Sequence, residues 1–269
     1  MNRTNKVLSL EELLLPKVPS GLPDYELTEE EKQAAIIDAQ AKKKAKVQYD
    51  LERQSEWQWE QVMAELPWKP SQLLTFATWK LATEQFHFDI DAENHAAVKA
   101  LSLYFSGSEK FASAGKGFSL KKGLMICGDV GRGKTTLMKL FRCNPHKTYT
   151  LINCRSVADE FAVSGESVLM RYTNPIKTIP QPATFLQSEI GICFDDFGVE
   201  ELKKSYGNTV NVLGEIIMNR YDSGLPHNFT HITTNHTAEE IEAKYSERVR
   251  SRMREMFNMI VLGGPDRRC

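Results

Sequence analysis

Apolar residues fall into three regimes along the chain, and each regime predicts a different kind of structure. From Met1 to Asp24 they show no sustained period and are punctuated by Pro16, Pro19 and Pro23, so residues 1–26 are expected to form an extended or disordered arm. Thr28-x-x-Glu31 is a capping box, and the stretch from there to Leu66 lacks Pro and Gly and is rich in Ala, Glu, Gln and Lys, which predicts one long helix. Lys42, Lys43, Lys44 and Lys46 interrupt its few apolar positions, so most of its circumference should face solvent. Trp57, Trp59, Trp68 and Trp79 mark a denser region that predicts a small helical module packed on the next domain. Asp91–Phe105 reads as a further helix ahead of a Gly107–Gly117 loop. Residues 27–115 are read as a helical N-terminal region suited to docking a partner.

From Lys121 the pattern changes to short apolar runs separated by amphipathic stretches, the signature of a parallel sheet with crossover helices. Leu124–Cys127, Tyr149–Cys154, Ile190–Phe194, His231–Thr234 and Met259–Leu262 are the five strand candidates. Asn208–Tyr221 is the clearest helix, because Val210, Leu213, Ile217 and Tyr221 recur at spacings of three and four. The expected fold is an α/β domain over residues 116–269 with a five-stranded parallel sheet.

Composition changes this picture little. A 41% hydrophobic fraction suffices for a core, and a formal charge of −1 over 269 residues means that any nucleic-acid contact must come from a local basic patch. Cys127, Cys143, Cys154, Cys193 and Cys269 form no CxxC pair, which argues against a zinc knuckle or a disulfide framework. No signal-peptide core and no run of about 18 apolar residues occurs, so the reading is cytoplasmic with no membrane partner. Asn228-Phe229-Thr230 matches a glycosylation sequon, which has no consequence in that compartment.

The chemistry concentrates after the first strand. Gly128-Asp129-Val130-Gly131-Arg132-Gly133-Lys134-Thr135, followed by Thr136, fits G-x-x-x-x-G-K-[ST] between an apolar strand and a helix. The glycines let backbone N–H groups cradle a triphosphate, Lys134 adds charge near its β and γ phosphates, and the Thr135 hydroxyl is placed to ligate Mg²⁺. Ile190–Phe194 runs into Asp195 and Asp196, a Walker-B pattern in which Asp195 holds Mg²⁺ and Asp196 polarises the attacking water. Glu200 and Glu201 either assist that step or begin a solvated helix. Asn235, after the fourth strand, would sit beside the γ-phosphate or simply form a turn. Tyr245–Phe257 carries Arg248, Arg250, Arg252 and Arg254 around one apolar stripe. Arg252 is the choice for an arginine finger reaching the ATP of a neighbouring subunit, the alternative being a solvated face or salt bridges to Glu247 and Glu255.

Taken in order, the glycine loop, Phe194-Asp195-Asp196-Phe197-Gly198-Val199-Glu200, Asn219-Arg220-Tyr221, Thr233-Thr234-Asn235 and Glu247-Arg248-Val249-x-Ser251-Arg252-Met253 resemble the DnaC-type helicase loaders and the related IstB transposition helpers. The resemblance covers about Lys121–Leu262. It implies an AAA+ P-loop ATPase core using ATP and Mg²⁺, homo-oligomerisation in the ATP state, binding to single-stranded DNA and delivery of a replicative helicase. It carries Lys134 and Thr135 as Walker A, Asp195 and Asp196 as Walker B, Asn235 as sensor 1 and Arg252 as the finger. ATPases of this type often have Glu where Asp196 stands. A C-terminal lid domain is not expected after the last strand, and Arg267 and Arg268 fall in a tail. The Arg155–Ser188 stretch has room for the extra helix of initiator-type ATPases, with Arg171, Tyr172 and Lys177 facing DNA or forming ordinary surface. A transposition helper binding duplex DNA, or a nucleotide switch with little turnover, are the competing readings.

Overall fold

The computed structural model describes residues 26–63, 68–86, 88–180, 185–205 and 208–268. The predicted arm and the side chains of Trp57 and Trp59 lie outside the described residues. The chain divides into two compact units, residues 1–57 and 58–269. Helix α1 (Glu29–Met63), most of which belongs to the first, starts at the predicted box, with the Thr28 amide donating to Glu31 Oε2 at 2.8 Å and the Glu31 amide donating to Thr28 Oγ1 at 3.3 Å. Its residues to Leu51 are exposed, as its lysine-rich middle requires.

The second unit is a sheet between two helical layers. Strands β1 (Gly123–Cys127), β2 (Tyr149–Asn153), β4 (Glu189–Phe197), β7 (Thr230–Thr234) and β8 (Phe257–Val261) are parallel in the order β2-β4-β7-β1-β8. A short β3 (Ile176–Lys177) pairs antiparallel with the start of β4. This is the α/β P-loop fold with a five-stranded parallel sheet that the sequence predicts.

Alternating side chains along these strands feed two cores. Leu124, Ile126, Cys193 and Ile260 point into one, which is completed by α2 (Pro70–Thr83), α3 (His95–Phe105) and α4 (Lys134–Phe141) through residues such as Phe76, Leu101, Tyr104 and Leu137. Ile192, Phe194, Ile232 and Phe257 point into the other. Its helices are α5 (Cys154–Ser164), α6 (Glu166–Thr173), α7 (Val212–Asp222), α8 (Ala238–Tyr245) and α9 (Glu247–Met256). The helices at 70–105, grouped by sequence with the N-terminal region, therefore share a core with the strands. Leu73, Phe76, Ala77 and Leu81 form the buried stripe of α2 and require that partner.

One local expectation changes. Asn208–Val210 is strand β6, paired antiparallel with β5 (Lys203–Ser205), and α7 begins only after Asn211, whose side chain accepts the Gly214 amide at 3.3 Å. The stretch after Arg155 holds two helices, α5 and α6, with Arg171 ion-paired to Glu160 and the Tyr172 hydroxyl donating to the same carboxylate at 2.7 Å. No helix among the described residues is long and apolar enough to cross a membrane.

Candidate nucleotide site

At the end of β1 the chain passes through the glycine loop and enters α4 at Lys134. Gly133 precedes that helix in the left-handed region (φ +87°), and Gly131 (φ +82°) faces the Asp266 carboxylate so closely that a Cβ would run into it. Both conformations favour glycine over any L side chain. Val130 projects into solvent, Arg132 pairs with Asp129, and Thr136 lies half-buried in the first helical turn. The amides at the start of α4 present the positive end of its dipole to an anion.

Lys134 is buried, and its Nζ donates to the Gly128 carbonyl at 2.7 Å, to the Asp129 carbonyl at 2.8 Å and to Asn235 Oδ1. Burial pulls its pKa below the usual lysine value, while the carboxylates of Asp196, Asp195 and Asp129 pull it back up. The Thr135 hydroxyl donates to Asp195 Oδ1 at 2.9 Å, and the Thr233 hydroxyl donates to the same oxygen at 2.6 Å. Thr233 Oγ1 in turn accepts the Asp196 amide at 2.9 Å. Strand β7 thus lies between β1, which leads into the glycine loop, and β4, which carries the aspartates, and it pairs with both. A hydroxyl and a carboxylate converging this way are hard oxygen donors, a set that fits Mg²⁺.

Asp196 lies within the register irregularity between Phe194 and Phe197 and adopts φ +58°, a left-handed conformation unusual for a residue other than glycine. Burial, and then the neighbouring Asp195 carboxylate, raise its pKa above the ordinary aspartate value. Lys134, Thr135, Asp195, Asp196 and Asn235, predicted separately, therefore gather around the carboxyl ends of β1, β4 and β7, where ligands of parallel sheets bind. Arg252 does not join them. Its guanidinium lies 4.3 Å over the Tyr221 ring, donating to the Tyr221 hydroxyl at 3.1 Å and to Glu255 Oε1 at 3.4 Å.

Three residues that the sequence names make contacts it does not reveal. Thr233 enters the sequence reading only within the Thr233-Thr234-Asn235 strand end, with no role of its own. Glu200 is buried rather than solvated: its carboxylate accepts the Gly198 amide at 3.0 Å and the Tyr245 hydroxyl. The tail folds back, with the Arg267 amide donating to the Gly131 carbonyl at 2.9 Å and its guanidinium donating to Asp91 at 2.5 and 3.0 Å. That guanidinium holds the Asp91 carboxyl down at about 2.

No protein-family model matches the chain, and no curated protein matches it in sequence. Among solved structures it is similar to a candidate primosome component from Streptococcus pyogenes serotype M3, at 25% identity and a TM-score of 0.43 over 67% of this chain and 86% of that one. It is similar to DnaI at 20% identity and a TM-score of 0.44, over 67% of this chain and 88% of that one. It is also similar to the DnaC helicase loader at 17% identity and a TM-score of 0.43, over 69% of this chain and 98% of that one.

Proposed function

We propose that the chain is an AAA+ ATPase that binds ATP with Mg²⁺ and uses its hydrolysis to deliver a replicative helicase onto single-stranded DNA. The observation that carries the ATPase reading is the convergence of Thr135 on Asp195 at 2.9 Å beside a lysine held by the glycine loop and Asn235. Lys134 exchanges those carbonyl and amide acceptors for phosphate oxygens, and the loop amides hold the rest of the triphosphate. Thr135 and Asp195 are the residues that would hold Mg²⁺, which when bound neutralises charge on the phosphates. Asp196 accepts a proton from the attacking water, and its raised pKa suits a group that must take one up. Asn235 orients that water or the γ-phosphate. The order of motifs between Lys121 and Leu262 supports the loader role, and Arg252 would complete the site of a neighbouring copy.

Steady-state ATP hydrolysis and nucleotide binding in wild type and Lys134→Ala test the enzymatic half. Turnover lost in the variant supports it, and equal rates in the two proteins overturn it. Capture of a hexameric helicase, together with ATP-dependent binding of single-stranded DNA, tests the loader half. Capture of a transposase and binding to duplex DNA would replace it with the transposition role.

A further inference from the structure

We propose that Lys244 and Glu200 are positioning residues that hold the turn after Asp196, and so aim its carboxylate, without touching nucleotide themselves; this rests on the ATPase reading above. The starting point is backbone geometry. Asp196 at φ +58° and Gly198 at φ +103° place two left-handed residues within three positions, and such a conformation persists at a non-glycine residue only where its surroundings over-determine it. Those surroundings can be named. Gly198 is gripped at both polar groups: its amide donates to Glu200 Oε2 at 3.0 Å, and its carbonyl faces the Lys244 ammonium and His236 Nε2, the latter at 3.0 Å.

Lys244 reaches past Gly198 to the Glu200 carbonyl at 2.6 Å, so one ammonium holds two carbonyls of the segment that leaves Asp196. The Phe197 ring stacks on Tyr245 with centroids 4.5 Å apart, and the Tyr245 hydroxyl is spent on Glu200. The Thr234 hydroxyl donates to the Phe197 carbonyl at 2.7 Å. Lys244 and Tyr245 are the last two residues of α8, and that helix starts at a capping box, Thr237 with Glu240, two positions after Asn235. A cation and a phenol from the end of α8, together with the buried Glu200 carboxylate, therefore converge on the segment that follows Asp196.

The test measures kcat and KM for ATP in the full chain carrying Lys244→Met or Glu200→Gln, each with and without Asp196→Asn, alongside binding of a fluorescent ATP analogue and thermal melting. Expected is a drop in kcat of about 10–100-fold with KM and analogue affinity within about 2-fold of wild type. In the Asp196→Asn background neither variant should lower kcat further, because the group they aim is gone. Lys244→Met, at a half-buried site, keeps the test open if Glu200→Gln does not fold. Unchanged kcat in Lys244→Met, or losses that multiply with Asp196→Asn, would overturn the positioning role alone. A wild type that neither binds nor hydrolyses ATP would overturn the ATPase reading and this role with it.

Discussion

His231 lies in the middle of the sheet with no exposure, ringed by Tyr104, Phe105 and Tyr149, and its Nδ1 accepts the Leu124 amide at 3.1 Å. Burial, aided by His146 and Arg220, pushes its pKa down to about 3. The folded protein thus keeps the ring neutral while the unfolded chain takes up a proton near the ordinary histidine value. Stability contributed by this site is complete above about pH 6.5 and is lost as pH falls toward 3. Between about pH 7 and pH 5 the loss should be roughly 2 kcal/mol, read as a lower urea midpoint, and His231→Phe should remove most of that dependence. At the nucleotide site the same scale gives a sharper outcome. Magnesium-ATP should raise the melting temperature of wild type by a few degrees and leave that of Lys134→Ala where it was, about 2–3 kcal/mol of linkage at a hundredfold excess over Kd.

Arg220 shows what the elements need from one another. It lies fully buried in the last turn of α7, and its guanidinium donates to the carbonyls of Tyr172 (2.7 Å), Thr173 (3.1 Å), Asn174 (3.3 Å) and Phe229 (2.8 Å) and to the Thr230 hydroxyl (2.8 Å). One cation satisfies the carbonyl end of α6 and the start of β7 together, with no carboxylate among these partners. Arg220→Met should cost roughly 3–5 kcal/mol in denaturant titration, since it strands several buried acceptors at once. In sequence this residue was only part of a helix end, because a partner set made of backbone carbonyls leaves no side-chain pattern. The strands are legible because buried parallel strands read as short apolar runs, and α7 because its apolar positions recur at helical spacing. Strand β6 is not legible: Val210 fits the helical spacing with Leu213 and Ile217 as well as it fits a strand, and the Asn211 cap decides between them. Likewise the glycine loop and paired aspartates announce themselves by spacing. Glu200 with Lys244, and Asp266 with the glycine loop, meet only through tertiary structure.

For the whole molecule, the position of Arg252 outside its own nucleotide cluster gives a prediction about assembly. Arg252→Ala should bind the ATP analogue as wild type does, yet lose turnover that rises with protein concentration, by about 10³-fold if the arginine serves as a finger. Hydrolysis that is independent of concentration and untouched by this change would assign Arg252 to its contacts with Tyr221 and Glu255 alone. The polarity of the sheet has a practical side as well. Because the five strands run the same way, their starting ends, at Gly123, Tyr149, Glu189, Thr230 and Phe257, form an edge that carries none of the proposed chemistry. An immobilising tether carried at exposed Lys121 should leave nucleotide capture intact, whereas the same tether at Val130 would stand in the doorway through which the triphosphate enters.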